Sequence, residues 1–351
     1  MKKFLKVLKF TSITILSICV LFILYFFISN KLFLESKNED NISYLMKNST
    51  EITNSINDKL FDDDFYQSKV FLLGEIHGYA DNQTLDRELL FFLNKKVGVK
   101  YYIAEMDSIT AAKLNNFLTD SLKNQETLKD VVLAIRKRIP QQSSQELLEK
   151  WNAIYDYNQQ LTDTSRITVI GIDKNVDDHS KVARDSAMVI NFKNSIKHLK
   201  LENEKFYGLF GYFHVLQNTT ENGKQTFASE LKKSGIKTTS FVSYTIDSEM
   251  YLPKIPQFPT PENERVDWSN ADGPLQLVKG INDLKELSKP NSITLFKLNS
   301  ENSPFLKSQH LISIKSRVFG ENIVPQKDTF TTDYFQYVFL LRNSKALTSL
   351  K

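Results

Sequence analysis

The sequence has 351 residues, a formal net charge of +4 and a single cysteine. Residues 1–31 contain five lysines and no acidic residue, which leaves a net charge of −1 for residues 32–351. A nearly neutral globular part excludes the clustered basic face expected of a nucleic-acid-binding protein, and one cysteine excludes an internal disulfide.

The N-terminus has the composition of a membrane-spanning helix. Four lysines in residues 1–9 precede twenty uncharged residues at 10–29. A helix of that length is ~30 Å long and matches the hydrocarbon core of a bilayer, whereas a cleavable signal peptide has a shorter apolar region. We therefore expect a basic tail at 1–9 and a transmembrane anchor at 10–30, with Cys19 inside the membrane and residues 10–29 in contact with lipid.

The lysines also predict the orientation of this anchor. The four N-terminal lysines outweigh Lys31 and Lys37, whose charges are accompanied by those of Glu35, Glu39 and Asp40. Because positively charged residues favour the cytoplasmic side of a membrane, we expect a cytoplasmic N-terminus. The chain is thus expected to be a single-pass membrane protein whose C-terminal domain lies outside the cytoplasm.

Residues 31–66 are polar and predict a stalk, and residues 67–345 predict an α/β domain. Within this domain short apolar runs alternate with helical patterns. The predicted strands are 69–73, 99–106, 167–172, 206–213 and 238–246, followed by 292–298 and 334–341. Alternation of this kind predicts a mostly parallel central sheet with helices on its faces.

Three consecutive helical patterns, at 109–122, 127–138 and 146–161, lie between the second and third strands. A crossover connection needs fewer helices, so these predict a helical cap over the edge of the sheet. Ser143 and Glu146 have the spacing of a capping box at the start of the third helix. A further helix is expected at 181–192.

The C-terminal part contains fewer regular patterns. Four prolines at positions 253, 256, 259 and 261 predict an extended loop, and residues 270–274 predict a turn. Helix is expected to resume only at about Leu275. A loop that contains Gly320 and Pro325 is expected between the last two strands.

Ionisable side chains stand at the ends of the predicted strands. Glu75 and His77 follow the first strand, Glu105 ends the second, and His214 ends the fourth. Because parallel strands place their carboxyl ends at one edge of the sheet, and ligands bind there, we expect these four side chains to converge on one site.

Arg184 is a further candidate for this site. It shares a helix face with Met188 and Asn191, so it is expected either to reach the edge of the sheet as a clamp for an anion or oxyanion or to form a surface ion pair. Asp107 and Asp173, which also follow strands, are expected to cap neighbouring helices.

Two chemical schemes remain open for two histidines and two carboxylates. In one, an imidazole acts as general base on a water while another group acts as general acid. In the other, His77, Glu105 and His214 bind a divalent metal that acidifies the water. The sequence lacks the motifs of serine hydrolases, zinc proteases, P-loop proteins and dinucleotide-binding proteins. The remaining histidines, 179, 198 and 310, are expected on the surface.

Residues 70–107 carry a strand that ends in Gly-Glu-x-His, a helix, and a second strand that ends in Glu. This stretch resembles the opening of the erythromycin esterase and ChaN-like superfamily. The helix at 183–191, with its Arg-Asp pair, and the strand-end motif at 211–214, Gly-Tyr-Phe-His, resemble later motifs of the esterases. The Gly-x-x-His pattern is also similar to that of the Tiki and TraB relatives.

The resemblance implies a parallel-rich α/β domain and a hydrolase for an ester, lactone or amide bond in a small-molecule or peptide substrate. His77 would be the base, Glu75 and Glu105 its electrostatic partners, and His214 a second acid, base or substrate contact. The Glu-Ile-His spacing fits the ChaN-like branch equally well. That branch implies an alternative, a haem- or metal-binding protein without hydrolase activity, with His77, His214, Tyr79 or Tyr212 as ligand.

Overall fold

The computed structural model describes residues 2–53, 55–254, 260–317 and 321–351. It confirms the predicted class, an α/β fold with a large, mostly parallel central sheet flanked by helices and preceded by an apolar N-terminal helix. The middle of the predicted proline-rich loop, 255–259, and the predicted loop residue Gly320 lie outside the described residues.

The helices are α1 (Lys2–Leu34), α2 (Glu39–Lys47), α3 (Asp63–Tyr66), α4 (Ala80–Val97), α5 (Ser108–Thr119), α6 (Gln125–Ile135), α7 (Gln145–Asn158), α8 (Arg184–Leu199), α9 (Phe227–Lys233) and α10 (Ile281–Leu287). The strands are β1 (Ser49–Ile52), β2 (Val70–Glu75), β3 (Tyr101–Ala104), β4 (Thr168–Gly171), β5 (Phe206–Gly211), β6 (Thr238–Ile246), β7 (Met250–Tyr251), β8 (Arg265–Val266), β9 (Ser269–Asn270), β10 (Gly273–Pro274), β11 (Gln276–Val278), β12 (Ile293–Lys297), β13 (Ile314–Ser316) and β14 (Tyr337–Arg342).

Eight strands form the central sheet in the order β1-β12-β14-β6-β2-β5-β3-β4. The six strands from β14 to β4 pair in parallel, while β12 pairs antiparallel with both β14 and β1. β2 lies between β5 and β6 in the middle of this parallel run. The ends of β2, β3, β4 and β5 therefore meet at one edge, as the sequence predicts.

Alternating side chains of the strands fill two separate cores. Phe71 and Leu73 of β2 pack against α4 to α7 on one face, whereas Val70 and Leu72 pack against α8 and α9 on the other. All four are fully buried, which is the pattern of a parallel strand covered by helices on both faces.

The three helices predicted between the second and third strands are present as α5, α6 and α7. A 3-10 turn at Pro140–Gln142 joins α6 to α7. The predicted capping box at Ser143 is wrong by one residue, because the side chain of Ser144 caps α7 by accepting a hydrogen bond from the backbone N–H of Leu147.

Part of the predicted stalk belongs to the sheet. β1 pairs with β12 at its edge, and Asn41 of α2 donates a 2.8 Å hydrogen bond to Asp283 of α10. The composition of this segment is polar because β1 is an edge strand and α2 is a surface helix, so neither shows a long apolar run.

The segment after β6 was expected to be a loop with helix from about Leu275. The described part of residues 250–278 instead contains the five short strands β7 to β11. Helix resumes only with α10, at Ile281. β11 pairs with β13 as a two-stranded ribbon. Strands of two or three residues carry too few side chains to show a period of two, which is why the sequence did not reveal them.

A buried ion pair ties the helical face to the sheet beneath the strand ends. Asp86 of α4 accepts hydrogen bonds from Lys150 of α7 at 2.6 Å, Tyr102 of β3 at 2.9 Å and Tyr207 of β5 at 2.7 Å. Asp86 is fully buried and Lys150 is 3 % exposed. Burial of a charge requires such partners, so this network fixes α4 and α7 relative to the sheet.

We expect Asp86→Asn to destabilise the domain by about 3–5 kcal/mol, because it leaves the Lys150 ammonium buried without its counter-charge. The measurement is thermal unfolding of the full chain in detergent. Asp58→Asn is the matched control, since Asp58 pairs with Lys96 at 2.9 Å on the exposed surface and its loss should leave the melting temperature almost unchanged. Equal shifts in both variants would contradict a structural role for the buried pair.

Candidate active site at the carboxyl edge of the sheet

The structure brings together all five residues that the sequence analysis singled out. Glu75 ends β2 and His77 follows it, Glu105 follows β3, and Arg184 begins α8. His214 lies in the 3-10 turn Tyr212–Val215, directly after β5. They form two hydrogen-bonded clusters that face each other across the end of β5.

The first cluster is built around His77. Its Nδ1 lies 2.9 Å from Oε1 of Glu75, and the same oxygen accepts a 2.5 Å hydrogen bond from the side-chain amide of Gln142. Glu75 is buried, whereas 24 % of the His77 side chain is exposed. A carboxylate on Nδ1 fixes the ring orientation and the tautomer, so Nε2 of His77 is the nitrogen left for chemistry.

The second cluster is built around Glu105. One of its carboxylate oxygens accepts a 2.6 Å hydrogen bond from Arg184 and lies 3.4 Å from Nε2 of His214. Its other oxygen accepts the backbone N–H of Gly211 at 2.9 Å. The charge of this buried carboxylate is therefore matched by two cationic side chains and one backbone donor.

His214 has a second carboxylate partner that the sequence analysis missed. Its Nδ1 lies 2.7 Å from Oδ1 of Asp185, which also accepts the backbone N–H of Phe227 at the start of α9. Asp185 directly follows Arg184, and the two neighbouring charges contact different partners. Arg184 contacts Glu105, and Asp185 contacts His214. The Arg-Asp pair was the available signal for the role of Asp185.

Asp173 was expected to cap a helix, and this prediction is wrong. Its carboxylate accepts hydrogen bonds from Arg184 at 2.5 Å and from Arg138 at 3.2 Å, so it belongs to the site. Arg184 thus reaches the edge of the sheet, and it forms its ion pairs there with Glu105 and Asp173. Asp107, in contrast, caps α5 as predicted by accepting the N–H of Thr110.

Gly211 marks the gap between the two imidazoles. A Cβ at this position would lie 3.3 Å from Nε2 of His77 and 3.5 Å from Cδ2 of His214. Both rings therefore lie beside the same small space, and a side chain at position 211 would occupy it.

The charges of the two clusters shift the pKa values of their members. Burial favours a neutral His214, but its hydrogen bonds to Asp185 and Glu105 outweigh burial and raise its pKa to about 10. Burial would raise the pKa of Glu105, but its hydrogen bond to His214 and the charges of His214 and Arg184 hold that pKa well below its usual range. His214 is therefore an imidazolium and Glu105 a carboxylate at neutral pH.

His77 is perturbed more mildly. Burial lowers its pKa, whereas the hydrogen bond and negative charge of Glu75 raise it, and the net result lies above the ordinary value of 6.5. One Glu75 oxygen, Oε2, is buried and has no hydrogen-bond partner among the described residues, so the carboxylate of Glu75 is directed chiefly toward His77 and Gln142.

A cavity of about 440 Å³ opens in front of the two histidines, within the size range of small-molecule sites. Its ionisable lining residues are Glu75, His77, His214 and Glu321. Its walls are mainly apolar, and the larger side chains among them are Ile76, Phe213, Met250, Leu252, Trp268, Leu275, Ile314 and Ile323.

The predicted metal ligands do not fit a metal ion in this arrangement. Both oxygens of Glu105 are engaged, by Arg184 and by the N–H of Gly211. Nε2 of His214, the nitrogen that would face a metal ion, lies 3.4 Å from the Arg184 guanidinium. Among the residues that the structure describes, no group of three or more His, Cys, Asp or Glu side chains is arranged to hold a metal. The donor set suits proton transfer better than metal coordination.

The two tyrosines considered as haem ligands do not fit that role either. The hydroxyl of Tyr79 donates a 2.6 Å hydrogen bond to the backbone carbonyl of Ser269, and that of Tyr212 lies 2.7 Å from the hydroxyl of Tyr244. Burial raises the pKa of Tyr79 to about 12 and also raises that of Tyr212. A phenolate ligand requires the opposite shift.

The other histidines lie away from the cavity. His179 and His198 are exposed, as predicted. His310 is instead partly buried, with Nε2 at 2.9 Å from Glu35 and Nδ1 at 3.1 Å from Asn41, so it connects the end of α1 to α2 and the prediction of a surface residue is wrong for it.

No protein-family description matches this sequence, and no curated protein matches it in sequence. Solved structures do match the fold. A protein from Bacillus cereus superposes with a TM-score of 0.62 at 12 % identity, covering 90 % of this chain and all of the other. A succinoglycan biosynthesis protein gives a TM-score of 0.57 at 14 % identity, with the same coverage of both chains.

A variant of an erythromycin esterase, EreC, in its open conformation gives a TM-score of 0.56 at 10 % identity, covering 79 % of this chain and 91 % of the other. Identities this low establish a shared fold and nothing more. The resemblance seen in the sequence motifs is therefore supported at the level of the fold.

We expect Asp185→Asn to lower the pKa of His214 from about 10 toward 6.5, because it removes the negative charge on Nδ1. The measurement is a titration of histidine-labelled full-length protein by NMR, with His214→Gln used to assign the signal. Glu126→Gln, at an exposed position on α6, is the control and should leave the titration unchanged. A His214 signal that titrates near 6.5 in the unmodified protein would contradict the ion-paired geometry.

Proposed function

We propose that this protein is a membrane-anchored hydrolase that acts outside the cytoplasm on an ester, lactone or amide bond. The observation that carries this proposal is the pairing of two unlike imidazoles beside one cavity. His77 is oriented by Glu75 with its Nε2 toward the gap at Gly211, and His214 is held protonated by two carboxylates. An acid and a base with separated pKa values suit hydrolysis by an activated water.

In the proposed mechanism, Nε2 of His77 removes a proton from a water as the water oxygen attacks the carbonyl carbon. The carbonyl electron pair moves onto oxygen and gives a tetrahedral oxyanion, which the positive charges of His214 and Arg184 stabilise. When the carbonyl re-forms, the bond to the leaving oxygen or nitrogen breaks, and that atom takes a proton from His214. The proton on His77 then returns through water to His214.

The N-terminal helix supports the membrane part of the proposal. Residues Lys3–Leu34 form one helix that is long and apolar enough to cross a membrane, and its most apolar stretch is not buried in the protein. The positive charge of the four lysines in residues 1–9, which precede the uncharged stretch, favours a cytoplasmic N-terminus. The catalytic domain then lies on the opposite side, where hydrolysis of an external compound would take place.

We expect His77→Ala to lower kcat/KM for a susceptible ester by about 10²–10⁴-fold, because it removes the general base. The measurement is the turnover of a panel of 4-nitrophenyl esters, lactones and aryl amides by the full chain in detergent. His198→Ala, at an exposed position on α8, is the control and should keep full activity. Undiminished turnover in His77→Ala would disprove the assignment of the base.

The pH dependence of the hydrolysis rate tests whether His77 acts as the general base. Because His77 must be neutral to accept a proton and its pKa is raised, the rate should rise with pH through a midpoint above 6.5. Glu75→Gln should move that midpoint downward, since it removes the anion that favours the imidazolium. The rate should fall again at about pH 10, where His214 loses its proton. A purely structural role for these residues would leave both midpoints unchanged.

We expect a C-terminal alkaline phosphatase fusion, joined after Lys351, to be active in a bacterial host and the equivalent fluorescent-protein fusion to be dark. Both results follow from a C-terminus outside the cytoplasm. Replacement of the four N-terminal lysines by glutamine removes the orienting charge and should reduce phosphatase activity. A bright fluorescent fusion with inactive phosphatase would contradict the orientation.

A further inference from the structure

One part of the cavity wall is formed by the ribbon of β11 with β13 and by Leu275 just before it. Side chains of a strand alternate between its two faces. Ile314 and Ser316 of β13 line the cavity, while Lys315 and Arg317 point to the other side of the ribbon. One layer of backbone therefore separates the cavity from whatever contacts Lys315 and Arg317.

What these two side chains contact is the end of α1. The guanidinium of Arg317 donates hydrogen bonds of 2.8 Å to Ser29 and to Asn30, and it lies 5.2 Å from the ring centroid of Phe26. The ammonium of Lys315 lies 5.7 Å from the ring centroid of Phe33. Both cations thus bind the same end of the apolar helix.

Two further bonds connect this helix end to the cavity wall. The side-chain amide of Asn30 donates a 2.9 Å hydrogen bond to the carbonyl of Pro274, and the backbone N–H of Arg317 donates one of 2.8 Å to the carbonyl of Leu275. Leu275 itself lines the cavity. Asn30 is only 7 % exposed, so α1 is seated against the ribbon and does not lead into a free tether.

With α1 as the membrane span proposed above, these contacts place the ribbon β11–β13 near the membrane surface. The uncharged run ends at Ser29, and Phe26 lies about 4.5 Å before it along a helix. Arg317 therefore contacts the last turn of the membrane span, at the depth where arginine side chains reach lipid headgroups. Leu275 and Ile314 of the cavity wall directly neighbour Pro274 and Lys315 in sequence, and both of those residues contact α1.

We propose that the substrate is an amphiphile of the bilayer itself, whose apolar chain enters the cavity at the membrane surface and presents its ester, lactone or amide carbonyl to His77. This rests on the hydrolase function proposed above and specifies its substrate class. A cavity with a mainly apolar lining that is fixed to α1 suits an acyl or isoprenoid chain, which would leave the bilayer for a similar environment.

Chain length provides the first test. The full chain in lipid nanodiscs is assayed with 4-nitrophenyl esters from acetate to laurate, and we expect kcat/KM to rise by up to about fourfold per methylene until the cavity is filled. Leu275→Phe, which narrows the cavity, should lower the ratio of laurate to acetate kcat/KM about tenfold, equivalent to the contact of one to two methylenes. Leu306→Phe, at an exposed apolar position outside the cavity lining, is the matched control and should leave that ratio unchanged.

The second test reads binding without catalysis. The chain has two tryptophans. Trp268 lines the cavity and Trp151 is buried in the core on the helical face of the sheet, so Trp151→Phe leaves Trp268 as the reporter. We expect dibromostearate added to the nanodiscs to quench Trp268 fluorescence in a saturable manner, and unbrominated oleate to relieve the quenching.

The outcomes separate this inference from the proposed function. Saturable quenching without turnover of any ester would support the lipid-binding cavity and overturn the hydrolase. Turnover that is independent of chain length, with no saturable quenching, would support the hydrolase and overturn the bilayer substrate. If Leu275→Phe protein has also lost acetate turnover, it would be judged by quenching of Trp268 alone, where loss of saturable binding supports the assignment and unchanged binding contradicts it.

Discussion

The site depends on one cation at the edge of the sheet. Parallel strands deliver the carboxylates of Glu105 and Asp173 to the same edge, where both are buried and need a positively charged partner. Arg184 bonds to both carboxylates at 2.5–2.6 Å, and its own pKa rises as a result despite burial. Because Glu105 stays ionised, it can hold His214 protonated, and the difference between the two histidines follows from that.

The two histidines have similar sequence contexts but unlike charge environments. His77 contacts one carboxylate and an amide, whereas His214 lies between two carboxylates. In the mechanism proposed above, an acid and a base of the same residue type therefore operate at one pH. The narrow gap at Gly211 keeps the two rings beside the same small space.

The apolar helix α1 is part of the domain's architecture. A flexible connection would leave α1 free to rotate relative to the domain, but the hydrogen bonds of Asn30 and Arg317 fix the ribbon β11–β13 to the C-terminal part of α1. The fold shared with an erythromycin esterase accounts for the arrangement of the strands, whereas the contacts of α1 with the ribbon depend on residues outside the central sheet.

The sequence by itself determined the apolar helix and the succession of the main strands along the chain, because both follow from local periodicity. It also determined the four strand-end residues Glu75, His77, Glu105 and His214, because parallel strands end at one edge of the sheet. Only the tertiary structure decided the remainder. Gln142 reaches Glu75 across 67 positions and Asn30 reaches Pro274 across 244. Contacts this distant leave no periodic trace, since they depend on how helices and short strands pack rather than on the pattern within any one of them.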